Sequence, residues 1–110
     1  MKKFIAIYNT PVEAAKAYME SSAEEKQEGM QAWLSWKANN ENHIVDFGAP
    51  LMPGEVVNEK MEWSQSDSLA GGYSILQAAS FDELKGALKD HPHTAHNIGA
   101  SIEIKELVGM

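Results

Sequence analysis

Three short patterns, in which a hydroxyl residue precedes a glutamate by three positions, constrain the fold of this chain more than any other feature. They are TPVE at 10–13, SAEE at 22–25 and SFDE at 80–83. In such a capping box the hydroxyl accepts a hydrogen bond from a free backbone N–H of the first helical turn, and the acid reaches back. Each pattern therefore predicts the start of a helix.

The helices predicted from these starts cover about 11–19, 23–38 and 81–89. Pro11 would occupy the first helical position of the first one, where its missing N–H is harmless. In the second helix Trp33 belongs to the apolar stripe and Trp36 flanks that stripe. The chain thus divides into three helices and the segments that separate them.

Four of these segments are predicted as strands, at 4–8, 43–48, 72–80 and 100–107. The first is a continuous apolar run and the last alternates apolar with charged residues. Between the second and third strands, the pieces EVV and KMEW predict an extra hairpin or a mobile flap.

The resulting order is βαββαβ with the first crossover doubled, which is the split βαβ of ferredoxin-like α+β folds with an antiparallel sheet. We expect a single domain over 1–110. Helices cover one face of such a sheet, and FIAIY and SILQAA place apolar residues on both faces. A second copy would cover the other face, so the pattern favours a homodimer over a monomer with one wet sheet face.

The net charge of the chain limits the classes of partner that it is expected to bind. Nine lysines and no arginine stand against sixteen acidic residues, which gives a net charge of −7. Nucleic acids and anionic membranes need a basic surface, so neither is an expected partner. There is no cysteine, no apolar run of the ~20 residues that span a bilayer, and no cleavage pattern of a signal peptide after MKKFIAIYNTP. These features predict a cytoplasmic domain.

Several phrases of the sequence resemble the YCII-related proteins of the dimeric α/β-barrel superfamily. They are MQAWLSW in the second helix, HIVDFGAPLMPG, the block GGYSILQAASFDELKGALKDHPH, and the closing IEI strand. The resemblance covers nearly the whole chain. It implies a ferredoxin-like domain that pairs into a dimeric α/β barrel, with a cleft suspected to be enzymatic.

The resemblance also implies an active site, and this sequence departs from it. The family's suggested pair is a histidine early in the second helical region and an aspartate just before the x-Pro turn. Here the helix position falls near 29–31, which reads GMQ, and His91 occupies the position before Pro92, with Asp90 one step earlier. Either the imidazole has moved to the turn, or this branch has lost that chemistry.

The hexapeptide HPHTAH at 91–96 holds three of the four histidines. A histidine just beyond the end of a helix feels a negative potential that favours imidazolium, so His91 is predicted to donate protons, with His93 beside it. Asp46 is predicted to orient or assist them if burial raises its pKa. The structural alternatives are that His91 caps helix carbonyls and that Asp46 bonds a turn amide.

Two further hypotheses concern ligands. His91, His93 and His96 could form a three-histidine metal site, although their spacing matches no established zinc pattern. Tyr73 and Gln77 share one strand face, which predicts a pocket or dimer lining there, and Trp33 is predicted as core and as an aromatic wall.

These observations lead to three hypotheses for function. The first is a small cofactor-free enzyme of the isomerase or lyase type, which acts on a small organic molecule in the barrel cleft through His91, His93 and Asp46. The second is a non-catalytic small-ligand-binding or accessory domain. The third is a metal-dependent variant that uses the histidine cluster.

Overall fold

The computed structural model describes residues 1–96 and 99–109, and of His96 the backbone alone. The described part begins with a strand, two helices and a second strand: β1 Lys2–Asn9, α1 Val12–Glu20, α2 Ala23–Asn39 and β2 Ile44–Pro50. It continues through a hairpin to a third long strand, two helices and a last strand: β3 Glu55–Val57, β4 Trp63–Gln65, β5 Ala70–Ala78, α3 Phe81–Leu88, α4 Pro92–His96 and β6 Ser101–Leu107. None of the described helices has the length and apolar character to cross a membrane.

Two of the three predicted capping sites are confirmed. Ser22 accepts from the backbone N–H of Glu25, and the Glu25 carboxylate accepts from that of Ser22. Ser80 accepts from the N–H of Glu83 in the same way. The prediction for Thr10 was wrong, because α1 begins one residue later, after Pro11, without a side-chain cap.

The main sheet has the strand order β2-β5-β1-β6, and all neighbouring strands are antiparallel. This mixed α+β arrangement agrees with the predicted ferredoxin-like order, in which the first and third long strands are central. The hairpin of β3 and β4 forms a separate two-stranded sheet. Of the two structures predicted for that segment, the hairpin is the one observed, but its second strand is WSQ at 63–65, and of the predicted KMEW only Trp63 belongs to it.

The hydrophobic core lies between the main sheet and the helices. Its buried members come from alternate positions of β1 and β5 and from one position in each of α2 and α3: Phe4, Ala6, Tyr8, Leu76, Ala78, Trp36 and Leu84. Trp36 is buried, whereas Trp33 is partly buried against the core. The sequence stripe had placed Trp33 inside and Trp36 at its flank, so the helix is rotated relative to that prediction.

The other face of the sheet carries no helix among the described residues. Ile5 lies beside Ile75 and Lys105, and Ile7 lies beside Tyr73. We call this surface the open face. Its apolar side chains are partly exposed, while their neighbours along the same strands are buried.

Candidate functional site

The most distinctive polar group of the core is a histidine enclosed by aromatic rings. His91 is 0% exposed. The ring centroids of Trp36, Trp33 and Tyr8 lie 4.4, 4.6 and 5.0 Å from that of His91. His93 is also buried, with its ring centroid 5.3 Å from that of Tyr8. We call these five residues the aromatic–histidine cluster.

The position of His91 follows from the local sequence. Pro92 disfavours helical conformation at the residue before it, so His91 lies between α3, which ends at Leu88, and α4, which begins at Pro92. His91 Nδ1 accepts a hydrogen bond of 3.0 Å from the backbone N–H of His93, and its carbonyl accepts from Ala95. The His91 side chain thus caps the N-terminus of α4, while its backbone N–H donates to the Leu88 carbonyl at the end of α3 at 3.1 Å.

This hydrogen bond fixes the protonation of the ring. An Nδ1 that accepts leaves the proton of a neutral imidazole on Nε2. His91 Nε2 is buried and has no hydrogen-bond partner among the described residues. The surrounding ring faces offer this N–H only a weak π acceptor. A buried donor without a full partner costs about 1–3 kcal/mol.

The charge state predicted for His91 was wrong. Burial lowers its pKa from 6.5 to about 3, and the charge of His93 adds to the effect. At neutral pH the ring is therefore a neutral hydrogen-bond donor. The sequence argument assumed the negative end of α3, but the fold buries the imidazole among apolar rings, where desolvation dominates.

His93 is held by a contact with the end of β1. Its Nε2 lies 2.9 Å from the backbone carbonyl oxygen of Asn9. Since a carbonyl can only accept, Nε2 of His93 carries a proton. The fold therefore brings His91 and His93 to the same cluster, as the sequence predicted, and anchors both to backbone.

A second polar chain lines the cluster, and sequence reasoning missed it. The Tyr8 hydroxyl donates to Ser74 Oγ at 2.8 Å, and the Ser74 hydroxyl donates to the Phe47 carbonyl at 2.6 Å. Burial raises the pKa of Tyr8, partly offset by the bond to Ser74. The signal was available, since Tyr8 and Ser74 share the strand faces of Ala6 and Leu76, but two strands had to be paired first.

Asp46 lies elsewhere. It is exposed, and its Oδ1 accepts from the backbone N–H of Gly48 at 2.9 Å. Gly48 has φ +82°, and a Cβ there would lie 1.8 Å from the Tyr73 carbonyl oxygen. Asp46 pairs with Ile75 of the open face. The DFG sequence is thus an irregularity within β2 that requires glycine, where the register with β5 shifts between Asp46 and Ala49. Asp46 bonds a backbone amide there, as the structural alternative predicted.

The three residues predicted to bind a ligand are not brought together. Tyr73 and Gln77 lie on the open face of β5, and Gln77 Nε2 donates to the Asn42 carbonyl at 3.0 Å. Trp33 lies on the opposite side of the sheet, against Tyr8 and His91. Trp33 belongs to the aromatic–histidine cluster, and Tyr73 and Gln77 do not.

The metal hypothesis needs the side chain of His96, which lies outside the described residues. Among the residues that the structure does describe, no three histidine, aspartate or glutamate side chains are grouped as a metal site requires. In His91, moreover, the Nδ1 lone pair is already used by the backbone of His93.

A shallow groove of about 410 Å³ lies on the helical side of the molecule, behind Trp36. Asp90 and Pro92, which flank His91, are part of its lining. Trp36 lines this groove and contacts His91, and its Nε1–H donates to the Ala87 carbonyl at 3.0 Å. Trp36 is therefore tethered, whereas Trp33, which is partly exposed, forms the outer wall of the cluster.

Comparisons with known proteins identify a structure of similar fold. No family model and no curated protein matches the chain. Among solved structures, the chain is similar to the 5-chloro-2-hydroxyhydroquinone dehydrochlorinase of Burkholderia phenoliruptrix AC1100 in complex with 2,5-dihydroxybenzoquinone. The TM-score is 0.51 and the identity 16%, over 94% of this chain and 91% of the other. This likeness supports the fold assignment.

Proposed function

We propose that the protein is a cofactor-free enzyme of the isomerase or lyase type that acts on a small organic molecule, with His91 and His93 as its working groups. One observation carries the proposal: the Nε2–H of His91 is fully buried among aromatic rings and has no partner among the described residues. A ligand oxygen placed there would satisfy it.

The chemistry follows from the charge state of His91. A neutral imidazole donates a hydrogen bond to a carbonyl oxygen and stabilises the negative charge that develops when a neighbouring carbon loses a proton. His91 is held in the donor tautomer by the N–H of His93. His93, beside it, would accept that proton and return it at the other carbon in an isomerisation, or hold it while a leaving group departs in an elimination.

The surroundings of His91 favour a planar, oxygenated substrate. Tyr8, Trp33 and Trp36 present ring faces and edges, and Trp33 is the partly exposed wall past which such a molecule would enter. The neighbour of similar fold binds 2,5-dihydroxybenzoquinone, which is a molecule of this shape. Asp46 is not assigned to this site, because it faces away from it.

We further propose that the chain is a YCII-like protein that works as a cytoplasmic homodimer, in which two open faces form a barrel. The surface area supports a dimer. The chain exposes 8071 Å², whereas a compact monomer of 12.1 kDa exposes roughly 6000 Å². The excess of about 2000 Å² is what one protomer buries in an obligate homodimer.

A non-catalytic ligand-binding module is the second candidate, and the buried Nε2–H of His91 supports it as well. A hydrogen bond from this neutral ring to a ligand oxygen needs no proton transfer. The same buried N–H would then serve recognition alone.

The test uses 2,5-dihydroxybenzoquinone and 5-chloro-2-hydroxyhydroquinone as probes. Binding is measured by calorimetry and turnover by chloride release or spectral change. His91→Asn is the central variant, because its Oδ1 can still cap α4 while the Nε2–H is lost. His43→Asn is the matched control, since His43 Nδ1 contacts the Gln77 carbonyl, away from the cluster.

The proposal expects probe binding by the wild type and the control, and binding at least about tenfold weaker in His91→Asn, as expected for one lost buried hydrogen bond. Turnover that disappears in His91→Asn supports the enzyme. Binding without turnover of either probe supports the module. Binding that is equal in all three proteins would contradict a role for His91 in either function.

A further inference from the structure

The hairpin between β2 and β5 stands apart from the body of the molecule. Every residue from 51 to 65 is exposed, and β3 and β4 pair only with each other. We call residues 51–65 the arm. The radius of gyration is 15.4 Å, against roughly 13 Å for a compact chain of this length. An isolated two-stranded hairpin is marginal in water, so the arm gains little from its own domain.

The arm is nevertheless a built structure. Asn58 Oδ1 accepts from the backbone N–H groups of Lys60 and Glu62, both at 2.9 Å, and its Nδ2 donates to the Glu62 carboxylate at 3.1 Å. At the base, the N–H of Ser66 donates to the Gly54 carbonyl at 2.9 Å. One side chain thus organises the turn without help from the rest of the chain, which suits a preformed contact surface.

The arm presents apolar side chains to solvent. Trp63 is 62% exposed and lies directly opposite Val57, so the two share one face of the hairpin. Met52 and Met61 are exposed by 85% and 70%. A tryptophan this exposed on a preformed hairpin is typical of the anchor residues of protein interfaces.

The open face offers a complementary surface. It is apolar at Ile5, Ile7 and Ile75 and carries Lys3 and Lys105 toward one end. Its acidic residues lie elsewhere on the face, with Glu103 beside Ile7 and Asp46 beside Ile75. Neither lysine forms an ion pair within the part of the chain that the structure describes. The arm holds three glutamates and one lysine. Its charge is therefore opposite to that of the lysine end of the open face.

We propose that the arm packs against a second copy of this chain at the Lys3 and Lys105 end of its open face, beside the contact between the two sheets, with Trp63 as its anchor, and that the exchange is reciprocal across a twofold axis. The excess surface of about 2000 Å² per chain is enough for the sheet contact and the arm together. This inference rests on the homodimer of the proposed function and adds the partner of the arm. It does not depend on the ligand or on turnover.

The first test measures the dimer dissociation constant by analytical ultracentrifugation. Trp63→Ala is expected to raise it at least about thirtyfold, as for an interface anchor. Met30→Ala, at a site of similar exposure (58%) on α2, is expected to leave it unchanged. Thermal melts of both variants under conditions where the protein is monomeric report whether the fold is intact.

Two results would overturn the inference. If the wild-type protein stays monomeric at every concentration, no second copy is bound and the arm has no partner. A dimer whose dissociation constant is the same in Trp63→Ala and wild type does not use the arm, and in that case the homodimer of the proposed function survives. The probe-binding assay with His91→Asn is read separately, so failure of the ligand site is distinguished from failure of the arm.

A second test exploits the absence of native cysteine. Gln65→Cys, on the Trp63 face of the arm, is mixed with Lys105→Cys, on the open face, and oxidised. We expect a covalent mixed dimer in higher yield than from Gln65→Cys mixed with Glu24→Cys, which lies in the exposed first turn of α2. Equal yields from the two mixtures would contradict the proposed contact.

Discussion

The two faces of the main sheet are built from the same strands but differ in burial. On β1, Phe4 and Ala6 are fully buried beneath the helices, while Ile5 and Ile7 between them are partly exposed on the open face. The covered face contains the core and the aromatic–histidine cluster. The open face contains aliphatic and charged side chains, and no helix among the described residues covers it. The comparison teaches that the described helices cover one face and leave the other partly exposed, and the exposed face is the one that we propose a second copy covers.

The covered face is also where polar groups are satisfied, with one exception. Tyr8, Ser74 and the Phe47 carbonyl form a continuous chain of hydrogen bonds. Within the described residues, His91 Nε2 is the buried side-chain atom that lacks a partner. Native proteins leave few such groups, and a catalytic role or a bound water or ion is among the explanations for each of them. The exception therefore marks the part of the covered face that we assign to a ligand.

The largest expected effect is a difference in stability between alanine substitutions at two adjacent residues of β5. Leu76→Ala should lower the free energy of unfolding by about 2–5 kcal/mol, because Leu76 is fully buried and its loss leaves a cavity. Ile75→Ala, one residue away on the open face, should cost clearly less in the monomer. Urea melts at dilute concentration measure both. Equal losses of unfolding free energy in the two variants would mean that the open face is as well packed in the monomer as the covered face.

The next effect concerns the hydrogen-bonded chain. Ser74→Ala removes the acceptor of the Tyr8 hydroxyl and the donor to the Phe47 carbonyl, and it should cost about 1–3 kcal/mol. Tyr8→Phe leaves the Ser74–Phe47 bond in place and should cost about 1 kcal/mol. Chemical denaturation of the two variants gives the order, and a more costly Tyr8→Phe would refute this hydrogen-bond pattern.

The third effect depends on pH. The pKa of His91 is about 3 in the folded state, and near 6.5 when unfolded. Below 6.5 the unfolded state binds the extra proton, so stability is present above that pH and falls as pH drops toward 3. Between pH 7 and pH 5 the loss from this residue is about 2 kcal/mol.

The difference between wild type and His91→Asn isolates this contribution, because all other titrating groups are shared. The wild type should lose about 2 kcal/mol more than the variant between pH 7 and pH 5 in urea melts. Parallel pH dependence of the two proteins would show that His91 is not buried in neutral form.

The smallest expected effect is the loss of stability when the side chain that caps the N-terminus of a helix is removed. Ser22→Ala should lower stability by about 1 kcal/mol, because the Ser22 side chain caps α2. Thr10→Ala should change it little, since Thr10 makes no cap at α1. If thermal melts show that Ser22→Ala and Thr10→Ala lose equal stability, Thr10 does cap α1, and the capping box predicted there is correct.

Much of the fold could be predicted from local signals. Ser22 and Ser80 predicted the starts of α2 and α3, and the alternation of apolar and charged residues predicted β6. Both signals depend only on residues close together in the sequence, which cap a helix or alternate between the faces of a strand. The side of α2 that is buried could not be predicted as well. Both Trp33 and Trp36 fit an apolar stripe, and the contact of Trp36 with Ala87, 51 positions away, decides which one enters the core.

The candidate site shows the same limit. The sequence indicated His91 and His93, but their charge state required knowledge of the rings that surround them. Tyr8 comes from β1 and Ser74 from β5, and only strand pairing brings them together. Asp46 is chemically suited to proton transfer, yet its carboxylate bonds the amide of Gly48 at an irregularity of β2. Chemistry of residue types is visible in a sequence, whereas burial depends on contacts distant along the chain.

The most direct test of the central claim is ¹⁵N NMR of the histidine rings, with His91 assigned by comparison with His91→Asn. We predict an Nε2-protonated, neutral ring from pH 7 down to about pH 4, whose Nε2–H signal shifts when 2,5-dihydroxybenzoquinone is added. A His91 ring that titrates near pH 6.5 and ignores the quinone would contradict the account, because His91 would then be neither a buried neutral donor nor the group that receives the ligand.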